Sequence, residues 1–448
     1  MKNRGRKQLN RFSIATKLKF WLYSILGLLI FVIPIRISGK SQIGLVHIGS
    51  IITKLLGPST PYIIYAFALF GLVLIIKERK KRFQGFFNCL MSVLSLLGIL
   101  CMTLYLLGFA PAFLNDDRFM PFIMSQVLYP TLLYTGISPF FMPFLLESGL
   151  LEFVGVALKP VLRPIYKLPG RAAIITASAF FGSAPVGIVV IDNLYKDGRF
   201  TYKEAFLMGT GFATTAISFM VILSNLGGIS DYWGIYFFSC VFALLIIAAI
   251  MVRIYPTKSI PNTTYNDIPY VDESTETVEG NLFVRMLIAG YEKVESSKGF
   301  FKSGLEMVKT SGTLLCNIMA STCGMVVVGL IINYYTPILE WLGYIFYPFA
   351  WLAGLSDPLT IGKGAASGLL VPSLPAVYAA AASDIVSRIV LCSMPVLGIV
   401  SIPLTMPVFF NSTCKYSAKN LFIIYLERMV LTILLVAVIA KVCVWLFV

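Results

Sequence analysis

The chain has 448 residues, 58% of them hydrophobic and 13% charged. A soluble domain carries roughly 25% charged and about 45–50% apolar residues, and no soluble fold of this length could hide the surplus apolar surface. A polytopic membrane protein is what this composition specifies. The net charge of +15 does not point to nucleic acid, because Lys and Arg sit in short clusters between apolar runs rather than on one recognition face.

Crossing a bilayer takes about 20 apolar residues per helix. Nine stretches qualify: 18–35, 62–76, 86–110, 126–147, 204–225, 233–253, 311–333, 386–408 and 421–445. The first follows a basic tail and lacks a small-residue cleavage pattern, so it reads as an uncleaved span. Two further apolar stretches, 172–193 and 361–382, are interrupted by GSAPVG (182–187) and VPSLPA (371–376). Each half is too short to cross, which predicts two re-entrant helical hairpins, with irregular backbone buried in protein or lining a cavity. With a cytoplasmic N-terminus, most Lys and Arg fall in segments 1–19, 77–82, 159–203 and 253–309 on the inner side. That is the bias of multi-pass proteins in the cytoplasmic membrane, and it places the C-terminus outside.

Residues 255–309 form the longest polar segment. Its first part is acidic and rich in turn formers, as a linker is; from Leu282 to Lys298 it has the mixed pattern of an interfacial helix.

A duplication is the most informative feature. LEFVGVALKP (151–160) returns as LEWLGYIFYP (339–348), and ASAFFGSAP (177–185) returns loosely as ASGLLVPSLP (366–375). Thr210 and Thr214 are matched by Ser401 and Thr405 at nearly the same offset. The topology puts the two copies on opposite sides of the membrane, which makes an inverted-topology repeat with broken helices meeting near the midplane. The chain divides accordingly into a three-helix region (1–120), a first repeat (121–254), a linker with its interfacial helix (255–309) and a second repeat (310–448).

Candidate contacts for a polar solute follow from this layout. Gly182, Ser183 and Ser373 sit at the hairpin tips, where unwound backbone exposes N–H and C=O groups. Thr210 and Thr214, with Ser218, share one face if their span is a continuous helix, as do Asn317 and Ser321 in the seventh span and Ser401 and Thr405 in the eighth. Asn317 offers both donor and acceptor. Ionisable groups at membrane depth are costly and point to function, which makes Glu152, Glu340 and Glu427 the ion-coupling candidates. Asp384 and Arg388, four apart on a helix, are placed to pair; Glu427 and Arg428 point in different directions and each needs its own partner, although Glu427 is the nearest carboxylate in sequence to neutralise Arg428. A single histidine, eight scattered cysteines without CxxC, and a GTG at 209–211 lacking a third glycine leave no metal, cofactor or catalytic constellation. The chain reads as no enzyme.

The segments LLESGLLEFVGVALKPVLRPIYKLPGRAA, FGSAPVG and YKEAFLMGTGFATTAISF resemble the nucleoside-recognition, or Gate, domain. That domain is shared by concentrative nucleoside transporters, the membrane part of ferrous-iron transporters and spore-maturation membrane proteins. The opening run LYSILGLLIFVIPIRISGKSQIGLVHIGSII resembles the YjiH-type branch. The resemblance implies two hairpins and their partner helices around a central site. No GxxxxGK[ST] is present, so the drive expected is Na⁺ or H⁺ rather than a nucleotide. The expectation is an all-α integral membrane protein, a secondary transporter of a small polar solute. The alternative is a non-transporting subunit that assembles with partner membrane proteins or with copies of itself.

Overall fold

The computed structural model describes residues 9, 11–37, 40–77, 86–170, 172–179, 184–270, 281–297, 299–402 and 405–447. Helix α1 (Ile14–Phe31) starts where the Ser13 hydroxyl accepts from the Thr16 N–H at 3.0 Å, filling one of the donors every helix start leaves open. A feature not foreseen in the sequence follows. Strands β1 (Pro34–Ile37) and β2 (Lys40–Ile43) pair antiparallel, with Pro34 opposite Ile43. The His47 ring lies 3.0 Å from the Ile35 carbonyl and ties this ribbon to α2 (Gly44–Leu56). α2 continues through a short 3-10 turn into α3 (Thr60–Lys77), and α4 (Phe86–Leu106) follows.

The run Ala112–Leu146, which contains α5 (Tyr129–Phe141), meets Leu150–Tyr166 at a bend of 62°. α6 (Leu150–Val161) begins immediately after the bend. The bend falls at Gly149, whose φ is +79°, a conformation open to glycine at little cost. A Cβ there would lie 2.1 Å from the Gly290 carbonyl oxygen, so this glycine also lets α12 (Leu282–Glu295) dock. α12 packs on α6 and α1, closing a small second core of Phe12, Phe20, Ile288, Tyr291 and Val294.

The two repeats follow the same order. In the first, α5 and α6 lead to the hairpin limbs α7 (Ala172–Ala179) and α8 (Ala184–Lys196), then to α9 (Tyr202–Leu207), α10 (Ile217–Leu226) and α11 (Trp233–Met251). In the second, α13 (Phe300–Tyr335), α14 (Ile338–Gly343) and α15 (Tyr347–Leu352) lead to the limbs α16 (Pro358–Ser367) and α17 (Leu374–Ala381). α18 (Ile385–Gly398), α19 (Met406–Asn411) and α20 (Ala418–Phe447) complete it. The packing is reciprocal: α8 of the first hairpin lies against α19, and α17 of the second lies against α10.

Among the described residues seven helices are long and apolar enough to span, or eight with the bent run, where nine spans were expected. Two of the expected continuous spans are interrupted. The stretch 204–225 breaks at Ala213–Ala216, and 386–408 is the short helix α18 followed by irregular backbone from Ile399. Thr210, Thr214 and Ser218 therefore do not share a helix face, since the break redirects the chain between them.

The N-terminal region is joined to the repeats where α4 crosses α13. A Cβ on Gly324 would fall 1.9 Å from the Leu94 carbonyl oxygen, and one on Gly98 would fall 2.1 Å from that of Ala320. Small residues that let backbones approach this closely take the place of the hydrophobic drive that lipid removes. Replacement Gly324→Val is expected to lose about 3 kcal/mol, the upper end of overpacking costs. Gly234→Ala, with nothing within 4 Å of the added carbon, should cost nothing. Thermal unfolding of the two variants in detergent checks both.

Candidate functional site

Both breaks have local causes. The first half of the broken helix starts at a capping box, with the Thr201 side chain on the Glu204 N–H and the Glu204 carboxylate on the Thr201 N–H at 2.8 Å. The sequence then runs into MGTGFATTA, whose glycines and β-branched threonines are poor helix formers. The helix widens into a π turn at Met208–Phe212 and becomes extended from Ala213 to Ala216. In the second copy Pro395 removes a helical hydrogen bond. Ile399 then takes φ +50°, a strained conformation for a β-branched residue and one that collects at functional positions.

One side chain holds the two breaks together. Arg428, on α20, is fully buried. Its Nε donates to the Leu397 carbonyl, at the end of α18, and its Nη1 donates to the carbonyls of Thr210 and, at 2.9 Å, Gly211. These are the last carbonyls before each break, where a helix end carries about half a negative charge. Two such ends together offset one guanidinium. Hydrogen bonds to a charged donor contribute about 1.5–3 kcal/mol each. The pairing with Glu427 that adjacency suggests does not form, because neighbouring residues on a helix point about 100° apart. Buried Nη2 of Arg428 and Oε2 of Glu427 have no partner among the described residues.

The candidate solute contacts are placed as follows. Thr210 is fully buried, its hydroxyl on the Phe206 carbonyl at 2.7 Å. Thr214 lies inside the first break and donates to the Val396 carbonyl of α18 at 3.0 Å. Ser401 and Thr405 share the second break, where the Thr405 hydroxyl accepts from the Ser401 N–H at 2.9 Å and donates to the Ile399 carbonyl at 2.7 Å. Ser373 lies buried at the turn of the second hairpin, just before α17. That turn touches the second break through the Ile402 N–H on the Leu369 carbonyl at 2.9 Å. Ser321 sits on α13, its hydroxyl 3.2 Å from the Ile318 carbonyl. Gly182 and Ser183 lie outside the described residues, as does the side chain of Asn317. Hydrogen bonds and backbone contacts thus bring Thr210, Thr214, Ser401, Thr405 and the second hairpin turn to one junction.

Residues not foreseen also meet there. The Tyr425 hydroxyl donates to the Ala365 carbonyl at 2.5 Å, fixing α20 to the second hairpin. Tyr236 of α11 reaches the Cys392 carbonyl at 3.1 Å. Thr176 of the first hairpin, Thr215 of the first break and Thr432, one turn beyond Arg428, have buried hydroxyls with no partner among the described residues. A Thr or Tyr inside an apolar run signals only that it needs a partner; which partner is set by the tertiary fold.

Of the three ion-coupling candidates, Glu427 lies beside Arg428 on α20 and the other two lie elsewhere. Glu340 is half-buried and pairs with Lys363 at 3.2 Å. Glu152, on α6, has one buried carboxylate oxygen without a partner among the described residues. Asp384 does not take Arg388 as its partner; it accepts from the Ser387 N–H at 2.8 Å and from Ser356, while Arg388 Nε donates to the Ala382 carbonyl at 2.9 Å. A cavity of about 500 Å³ lies on the flank of the protein, between Ile165–Tyr166 and α11, with an almost wholly apolar lining ending at Arg253. Its walls give a polar solute nothing to bind. The eight cysteines are free.

Asp192 joins the first hairpin to the second copy. Its carboxylate accepts from the Ser412 hydroxyl (2.6 Å), the Thr413 N–H (2.8 Å) and the Cys414 N–H (3.3 Å), and pairs with Lys196 at 2.9 Å. Burial pushes its pKa up, but these donors outweigh it and hold the group at about 2, below the ordinary 3.8. A lowered folded-state pKa gives stability that is present above the unfolded value and lost as pH falls towards the folded one. Asp192→Asn should therefore melt below wild type by a constant gap above about pH 4, and the gap should close as pH falls towards about 2. A gap unchanged over that range contradicts this account of the carboxylate.

Residues 128–230 match the family model of the Gate domain, described as nucleoside recognition. An uncharacterized protein of Alkalihalophilus pseudofirmus is 26% identical over 95% of this chain and 94% of its own. The sporulation integral membrane protein YlbJ of Bacillus subtilis is 32% identical over 82 residues, 18% of this chain and 19% of that one. Among solved structures, CNTnw in an inward-facing substrate-bound state aligns with 96% of this chain and 93% of its own, at 12% identity and a TM-score of 0.45. The first broken helix and the first hairpin thus lie in the segment that matches the Gate model, carried by an almost wholly helical, multi-pass membrane chain.

Proposed function

We propose that the protein is a secondary transporter, moving a small polar solute across the cytoplasmic membrane by alternating access between its two inverted repeats. One observation carries the reading: each hairpin packs its second limb against the far half of the other copy's broken helix. A rocking of one copy against the other would then open one hairpin as it closes the second, around a junction of unwound backbone. Thr210, Thr214, Ser373, Ser401 and Thr405 are the contacts proposed for the solute, with Gly182, Ser183, Asn317 and Ser321 completing the set. The Gate-type match over 128–230 supports a transporter family.

A membrane subunit that works only with partners is the second reading. The observation in its favour is that Thr210, Thr214 and Thr405 already satisfy their hydroxyls within the protein, as helix packing alone requires.

A thermal-shift screen of purified protein against nucleosides, amino acids, dicarboxylates and divalent ions separates the two. A ligand at 100 times its Kd stabilises by about 2.7 kcal/mol when it binds only the folded state. The transporter reading predicts a hit that is lost in Ser373→Leu. A hit that survives Ser373→Leu moves the site, and no hit from well-folded protein favours the subunit.

A further inference from the structure

The balance of charge around Arg428 is unusual. A buried arginine that serves packing alone is ordinarily met by a carboxylate, because an unpaired charge in a dry interior is expensive. Here no carboxylate lies within ion-pair distance among the described residues. The charge is instead surrounded by main-chain oxygens of Thr210, Gly211 and Leu397. Those oxygens come from the C-terminal ends of two half-helices, one in each repeat. Carbonyls released by a helix break, together with the negative end of the half-helix, are the ligand set with which membrane transporters hold a monovalent cation. The cradle has the chemistry of a cation site, and a tethered cation fills it.

We infer that Arg428 is the resident cation of this junction, occupying with its guanidinium the carbonyl cradle that would otherwise bind Na⁺. The inference rests on the transporter reading for its role in a cycle: coupling at this place needs no Na⁺. Three details agree. The guanidinium uses three of its five N–H groups on carbonyls, so it replaces an ion's ligand shell rather than a salt-bridge partner. Tyr425, one turn before Arg428 on the same helix, fixes α20 to the second hairpin. Neighbouring Glu427 leaves its own buried oxygen unpartnered rather than quench the charge.

The test uses the full-length protein and needs no solute, so its outcome is independent of whether transport is found. Wild-type melting is compared in NaCl and in choline chloride at equal ionic strength, and again with millimolar guanidinium chloride. The same series is run on Arg428→Ser. Wild type is expected to melt at one temperature in all three. The serine variant should melt several degrees lower in choline and recover part of that shift in guanidinium or Na⁺. Wild type stabilised by Na⁺ over choline overturns the inference, and so does a serine variant that neither cation raises. Arg428→Lys covers the case in which the serine variant does not fold. It keeps a tethered charge and should be indifferent to Na⁺; a lysine variant stabilised by Na⁺ also overturns the inference.

Discussion

The architecture depends on what a helix break costs inside a membrane. Interrupting a helix at that depth frees N–H and C=O groups that lipid cannot satisfy. This chain makes two such breaks and brings them together, so that each copy supplies part of what the other lacks. Arg428 meets the freed carbonyls on both sides at once, and the Thr214 hydroxyl reaches from the first break to the Val396 carbonyl of the second broken helix. A single copy would leave its break uncovered, which gives the duplication a physical reason.

The hairpins extend the same exchange. Asp192 carries the end of the first hairpin to residues 412–414 of the second copy, and α17 of the second hairpin lies against α10 of the first copy. The two copies are not equivalent, however. Arg428 has no charged counterpart on α11, whose sequence is uncharged throughout. The pseudo-symmetric junction is therefore biased by one tethered positive charge. Any motion of the repeats has to carry that charge with one of the two helix ends or slide it between them.

Much of this was legible in the sequence, for reasons that can be named. Long apolar runs predicted most of the spans, and Gly/Pro interruptions predicted the short limbs of the hairpins, since length and breaker residues act locally. The short motif shared by 151–160 and 339–348 predicted the repeat. The breaks at 213–216 and from Ile399 were not foreseen, because glycine, threonine and proline are tolerated inside transmembrane helices when neighbours supply the missing bonds. Arg428 stood out as a charge deep in a span, but its partner was misread. Adjacency in sequence suggested Glu427, whereas the actual acceptors are main-chain atoms over 200 residues away for Thr210 and Gly211. Main-chain acceptors carry no residue signature, so only the fold reveals them. The ribbon β1–β2 was missed for a related reason, being two four-residue strands between strong helical signals.

The claim on which the rest turns is that the hairpins open in opposition about the shared junction. Double electron–electron resonance tests it directly, with spin labels on a non-natural amino acid so that the native cysteines stay in place. One label pair joins Asn193 of the first hairpin to Arg253 beyond α11; the other joins Ser383, beside the second hairpin, to Tyr335 at the end of α13. The account predicts two distance populations for each pair, and a change of conditions that lengthens one should shorten the other. A single unchanging distance for both pairs, or lengthening of both together, would contradict it.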